Sequence, residues 1–345
     1  MKTALAVAAA SGLFVAGAMS AALAADPATD AQAEYSEIAP LATQSLLLDA
    51  VMAGTRMIAV GERGHVLLSD DQGASWRQAR VPTRATLTAV CFVDAEIGWA
   101  VGHDEVIVRS VDGGETWTRV HFAPEKEQPL LDVWFKDAQA GLTFGAYGTI
   151  LASSDGGLSW MQRTFEPQPL VAVAKPARPA QAEDDEYLDE GSASDTHLNA
   201  IARAADGKLY LAAESGNIFR STDDGQTWLE LPSPYEGSFF GVLPLDGASM
   251  LVFGLRGHLF RSDDAGATWR EISTGAVAML TNGLRLDAQT VVITGLAGTL
   301  LVSRDGGHSF ALQQLPDRKG ISAALPAGNG RLVTVGEGGV KVVTP

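Results

Sequence analysis

The sequence predicts an all-β chain: a seven-bladed β-propeller of four-stranded blades, closed by an N-terminal strand. Three observations carry that expectation. First, an octad, Ser-x-Asp-x-Gly-x-(Ser/Thr)-aromatic, recurs at 69–76, 110–117, 153–160, 221–228, 262–269 and 303–310. Its aspartates, Asp71, Asp112, Asp155, Asp223, Asp264 and Asp305, stand 41, 43, 68, 41 and 41 residues apart. Second, a shorter mark, usually Gly-x-x-Gly, precedes each octad and occurs once more after the last, at 61–64, 145–148, 254–257, 295–298 and 336–339. Degenerate copies stand at 102–105 and 213–216, which makes seven marks for six octads. Third, the apolar runs between glycines are short, rich in β-formers and without helical periodicity. A period near 41 residues is the length of one four-stranded propeller blade.

Taken from the N-terminus, the chain opens with an address. Met1 and Lys2 are followed by an apolar, small-residue stretch to Ala24, ending Ala22-Leu23-Ala24 before the polar Asp26. That is the pattern of a secretory signal peptide, residues 1–24, with no cysteine at the cleavage point for a lipid. The mature protein is therefore expected in the periplasm or secreted. Residues 25–34 read as a lead and 35–345 as the propeller.

Blade two shows the pattern within a repeat: runs at 87–93, 98–101, 106–108 and 117–122, with the octad as a tight turn before the last. Blade seven supplies runs at 321–326, 331–335 and 340–343 but no fourth. Residues 35–42, ahead of blade one, are expected to supply it and so to remove two sheet edges. The 68-residue interval holds an insertion between blades three and four, 166–195. It starts proline-rich and ends in Glu183-Asp184-Asp185-Glu186-Tyr187-Leu188-Asp189-Glu190, which reads as an extended acidic loop.

Composition excludes several functions. With 345 residues, 46% of them hydrophobic, the chain can bury a large core. Its 41 acidic and 25 basic residues give a net charge of −16, which a phosphate backbone repels, so nucleic acid is not an expected partner. One cysteine, Cys91, excludes an internal disulfide or a thiolate cluster, and its place in an apolar run reads as an inert thiol. His65 and His258 occupy matching places in well-separated blades, and no carboxylate spacing fits a calcium loop, so no metal or other cofactor is expected.

The repeated Ser, Asp and Thr invite a catalytic reading, but a single active site needs no six copies around a ring. Glycine permits the positive φ of a tight turn, while Ser and Asp side chains bond its backbone. The octad aromatics, Trp76, Trp117, Trp160, Trp228, Trp269 and Phe310, are expected between blades. Strands alternate in direction, so the turns after second and fourth strands share the face opposite the octads. That face collects Glu62, Arg63, His103, Asp104, Tyr147, Glu214, Tyr235 and Arg256, with Lys126, Arg318 and Lys319, and it is the candidate partner-binding surface.

The octad resembles the Asp-box, or BNR repeat, of sialidases, some glycosidases and sortilin-type receptors. Two further motifs narrow the likeness. These are Val90-Cys91-Phe92-Val93-Asp94 followed by 98–102, Gly-Trp-Ala-Val-Gly, and Val133-Trp134-Phe135-Lys136-Asp137 followed by 141–145, Gly-Leu-Thr-Phe-Gly. With the Arg-Ser-x-Asp-x-Gly form at Arg109, Arg220 and Arg261, residues 45–345 resemble the photosystem II assembly and stability factor family, in its non-photosynthetic bacterial branch. The resemblance implies a monomeric, non-enzymatic scaffold that binds a membrane protein complex from the periplasmic side. A resistance-nodulation-division type transporter is a plausible client. Two departures stand against the photosynthetic members: the chain is acidic where they present arginines, and nothing in it indicates photosynthesis. The alternative is a sialidase-like glycoside hydrolase or a carbohydrate-binding propeller. Such an enzyme requires paired carboxylates, or a tyrosine nucleophile with an arginine cluster.

Overall fold

The structure, a computed structural model, describes residues 33–169 and 196–345. Seven antiparallel sheets follow one another along the chain at 47–79, 87–121, 130–163, 198–230, 239–271, 280–314 and 321–343, blades one to seven. Six are four-stranded meanders and the seventh has three strands. The predicted signal peptide, most of the lead and 170–195 of the insertion lie outside the described residues.

Second strands are buried on both faces, along their whole length in Gly98–Gly102, Gly141–Gly145 and Val291–Gly295 and after the leading arginine in Arg56–Gly61 and Arg331–Gly336. Each blade is sandwiched between two others, so an alternating polar face has no place there. The core is accordingly a ring of clusters, each shared by two blades. Trp117 lies in the cluster of blades one and two, Trp160 in that of two and three, and Trp228 in that of three and four. Trp269 and Phe310 do the same at the next two junctions. Trp117, Trp160 and Trp228 meet Phe92, Phe135 and Phe144 edge to face, with ring centroids 5.7–6.0 Å apart.

The octads are backbone devices. In all six the serine hydroxyl donates to Oδ1 of the aspartate at 2.7–2.9 Å and accepts the N–H of the glycine two residues after that aspartate at 2.8–2.9 Å. The following Ser or Thr donates its N–H to the same Oδ1 and its hydroxyl to Oδ2 at 2.6–2.7 Å. That glycine also seats the turn on the preceding blade. At Gly157, φ is +78° and a Cβ would stand 2.2 Å from Trp99 Nε1. The arginine of Arg-Ser-x-Asp-x-Gly staples forward: Arg109 Nε donates to Gly156 O at 2.7 Å and Arg261 Nη1 to Gly306 O at 2.7 Å.

The innermost strands carry an irregularity after their first residue in every blade, for example between Leu87 and Ala89 and between Leu280 and Thr281–Asn282. The bulged side chain reaches the next blade. Thr88 Oγ1 donates to Leu130 O at 2.6 Å, Asn199 Nδ2 to Phe239 O at 2.8 Å, and Thr281 Oγ1 to Ile321 O at 2.6 Å. One residue further on, Asp49 accepts the N–H of Val90 at 2.9 Å and Asp132 that of Ile201 at 2.8 Å. Five of the seven junctions are thus tied along the inner wall.

Closure departs from the expectation. Residues 35–42 form no strand on blade seven. Ser36 instead exchanges two hydrogen bonds with Val81, beyond the outer strand of blade one, and Gln78 holds Glu37 O and Ala39 N. Pro40 offers no N–H to a ladder, and the chain turns in a 3-10 helix, Ala42–Gln44. Thr43 O then accepts the N–H of Val340 at 2.8 Å, which latches blade one to blade seven. Side chains complete the junction: Leu47, Ala59 and Leu67 pack on Ala323 and Val335, and Met57 on Leu325 and Val333.

Candidate binding face

In each blade the N–H of the residue opening the turn after the second strand donates to the carbonyl just ahead of the first strand. Glu62 to Leu46, His103 to Thr86, Ala146 to Pro129, Glu214 to His197 and Leu255 to Ser238 are examples, at 2.9–3.1 Å. These turns are therefore rigid mounts. At their tips stand non-glycine residues in the left-handed region: Arg63 (φ 56°), Asp104 (61°), Tyr147 (54°), Ser215 (55°) and Arg256 (59°). A side chain held there costs about 1 kcal/mol that glycine would avoid.

The sequence-predicted residues divide by what their side chains already do. Glu62 Oε1 accepts Leu46 N at 3.3 Å, and Glu214 Oε2 accepts His197 N at 3.2 Å while Oε1 lies 3.3 Å from His197 Nδ1. Both carboxylates serve the backbone. The Tyr235 ring is half-buried, 4.3 Å from His258 and packed on Phe239 and Phe260. Arg63, His103 and Arg256 are exposed on separate blades. Tyr147 is 57% exposed, and its ring meets His197 edge to face at 4.9 Å. With Gly148, Gln162, Arg163, Thr164 and Phe165 it lines an open cavity of about 250 Å³. Lys126 is engaged by Glu105, and Arg318 by Gln314.

Two groups were not singled out by the sequence reading. Glu105 replaces the second glycine of the blade-two mark and is wholly buried. Its carboxylate takes Lys126 Nζ at 2.9 Å and His121 Nε2 at 3.0 Å, pinning the connection to blade three. The broken Gly-x-x-Gly was its signal. Asp49 and Asp132 stand on the inner wall, where burial pushes their carboxyls up to about 7 and about 6, and Asp132 adds to the rise at Asp49. Burial, with the same two carboxylates, pushes the Cys91 thiol up as well. The octad aspartates go the other way. Asp71, Asp155 and Asp264 are held at about 2, chiefly by the hydroxyls of Ser75, Ser159 and Thr268.

Among the described residues no three His, Cys, Asp or Glu side chains gather as a metal site, and no helix is long and apolar enough to cross a membrane. His65 is buried with Nδ1 unpaired, and burial lowers its pKa.

Comparison with known proteins adds a family to this geometry. Solved structures with the same fold include YCF48 bound to D1 peptide, with a TM-score of 0.64 and 16% identity over 90% of this chain and 95% of that one. YCF48 from Cyanidioschyzon merolae aligns with a TM-score of 0.64 and 17% identity, over 90% and 98%. An ancestral GH74 enzyme gives 0.63 and 12%, covering 90% of this chain and 46% of its own. Identities this low establish the fold alone. No curated protein matches in sequence. The family model for Photosynthesis system II assembly factor YCF48 matches residues 68–129 and 120–287, well over half of the chain. The chain belongs to that assembly-factor family.

Proposed function

We propose that this protein is a non-enzymatic binding scaffold in the periplasm that assists the assembly or operation of a membrane protein complex. The observation that carries the proposal is family membership joined to a face of rigid turns presenting Arg63, Asp104, Tyr147 and Arg256 outward. A related structure holds a peptide, and this chain is read as holding a segment of its client in the same sense. An envelope transporter of the resistance-nodulation-division type is a candidate client. The signal-like residues 1–24 support that location.

The geometry favours binding over hydrolysis. Octad carboxylates are bound by their own turns, and Arg63 and Arg256 stand on blades one and five. The test is recovery of the tagged mature protein from gently solubilised native envelopes, read by mass spectrometry. One integral membrane complex should come with it. Recovery of background alone, or glycoside turnover on a substrate panel, would overturn the reading.

A further inference from the structure

Outer strands are the natural docking edges of a propeller, because each leaves one row of backbone groups without a ladder partner. In this molecule blade four's row is partly taken, and on several other blades the side chains of the outer strand are engaged. Gln168 lies parallel to blade four's outer strand, donating its N–H to Trp228 O at 2.7 Å and accepting that of Glu230 at 3.0 Å. On blade one, Gln78 holds the N-terminal latch and Arg77 pairs with Glu115. On blade two His121 faces Glu105, on blade five Glu271 holds His258, and on blade six Gln313 reaches Thr344 O.

Blade three's outer strand, Met161–Arg163, is exposed at all three residues, like those of blades five and six, but it differs in what its side chains do. Among the described residues none of the three side chains has a hydrogen-bonding or ionic partner. At one end Met161 and Leu158 are 68% and 62% exposed, with no acidic residue in the strand to blunt the edge. At the other end lies the Tyr147 cavity, with the exposed Arg163 and the buried Phe165 among its lining residues. Its volume of about 250 Å³ suits one apolar side chain. Tyr147 keeps its left-handed backbone there, braced by His197 and, through it, by Glu214.

We propose that the outer edge of blade three takes an extended, acidic peptide segment of a partner protein as an added strand, with an apolar side chain in the Tyr147 cavity and a carboxylate on Arg163. Strand addition supplies main-chain hydrogen bonds, while the cavity and the guanidinium select the side chains. Gln168 on blade four shows that an outer edge of this propeller accepts extended chain. The proposal rests on the scaffold reading and narrows it to one edge.

The probe is a fluorescein-labelled octapeptide of alternating threonine and valine that carries adjacent glutamate and phenylalanine. It is titrated against mature protein, residues 25–345, by fluorescence anisotropy. Tight binding is expected, with losses of about tenfold or more on Arg163→Glu, on Tyr147→Ala, and on replacing the peptide's glutamate by lysine. N-methylation of alternate peptide residues should abolish it on one phase of the strand and spare it on the other. All these side chains are exposed, so melting temperatures should hold, and Arg163→Gln gives a milder control. Equal binding of the acidic and lysine peptides, indifference to N-methylation, or unchanged binding by both variants overturns the proposal. Envelope recovery with Arg163→Glu separates the two readings. A client still recovered while no peptide binds sinks the edge and spares the scaffold; a client lost with the peptide supports both.

Discussion

The octad aspartates and the inner-wall pair, Asp49 and Asp132, do similar work with opposite electrostatic consequences. Both accept backbone N–H groups: Asp112 takes that of Thr116 on Oδ1 and the Thr116 hydroxyl on Oδ2, while Asp49 takes those of Ala50 and Val90 on its two oxygens. On the turns, water remains at hand and hydroxyl donors hold the charged form, so Asp71, Asp155 and Asp264 sit at about 2. On the half-buried wall, reduced hydration outweighs two N–H donors, and the carboxyls rise to about 7 and about 6. The same kind of hydrogen bond thus leaves opposite shifts, because the environment around it differs. The turns hold the ionised carboxylate down to low pH, and the wall raises the pH at which it ionises.

The strongest challenge to the turn side of this comparison is Trp117→Ala. It removes the ring that the octad delivers between blades one and two and should lower stability by about 3–5 kcal/mol in urea unfolding. An effect near zero would mean that the turn, and not its aromatic, fixes the junction. Next comes Asp112→Ala, which leaves Thr116 N–H and two hydroxyls without their acceptor. A loss of about 2–3 kcal/mol is expected at neutral pH. That loss should fade as wild type itself is acidified through the range where the octad carboxylates protonate.

The stability profile tests both regions at once. A lowered carboxyl adds stability that is present above the unfolded value of 3.8 and lost as pH falls towards 2. A raised one adds stability that is present below 3.8 and lost as pH rises to 6 or 7. The two slopes meet near pH 4, so unfolding midpoints from these groups should peak on the acid side. A maximum at or above pH 7 would remove the inner-wall assignment.

Much of this was legible in residues. The octad period gave the blade count, and in blade two the runs 87–93 and 98–101 became strands Leu87–Phe92 and Gly98–Gly102. A tight turn is a local object, so its side-chain chemistry is written in eight consecutive residues. Closure was less legible, because whether 35–42 joins blade seven or blade one depends on where Val81, Gln78 and Val340 stand in space. Of the face, the sequence supplied the turns and their tips. It did not separate Tyr147, whose ring stands out, from Tyr235, whose ring packs on His258, since which ring finds a neighbour depends on residues distant in sequence, such as His258. Asp49 and Asp132 did leave a trace, a single acid behind Leu46-Leu47-Leu48 and Leu130-Leu131, but a lone acid in an apolar run has no meaning until the bulge aims it at the next blade.

A last prediction is the most specific to the inner wall. Asp49→Asn keeps one acceptor oxygen for two amides, so it should be less stable than wild type near pH 4, where the native carboxyl is neutral and accepts both. As pH rises, wild type must ionise Asp49 inside the wall and the amide need not. The gap should narrow as pH rises from 4 towards 7, where the raised native carboxyl ionises. Asp132→Asn then probes the coupling, because Asp132 contributes to the rise at Asp49. With that charge gone, Asp49 should ionise at lower pH, and the double variant should lose less slope than the two single variants summed. Strict additivity in such a cycle would mean that each carboxyl is raised by its own burial alone, and that the two aspartates share a wall without sensing one another.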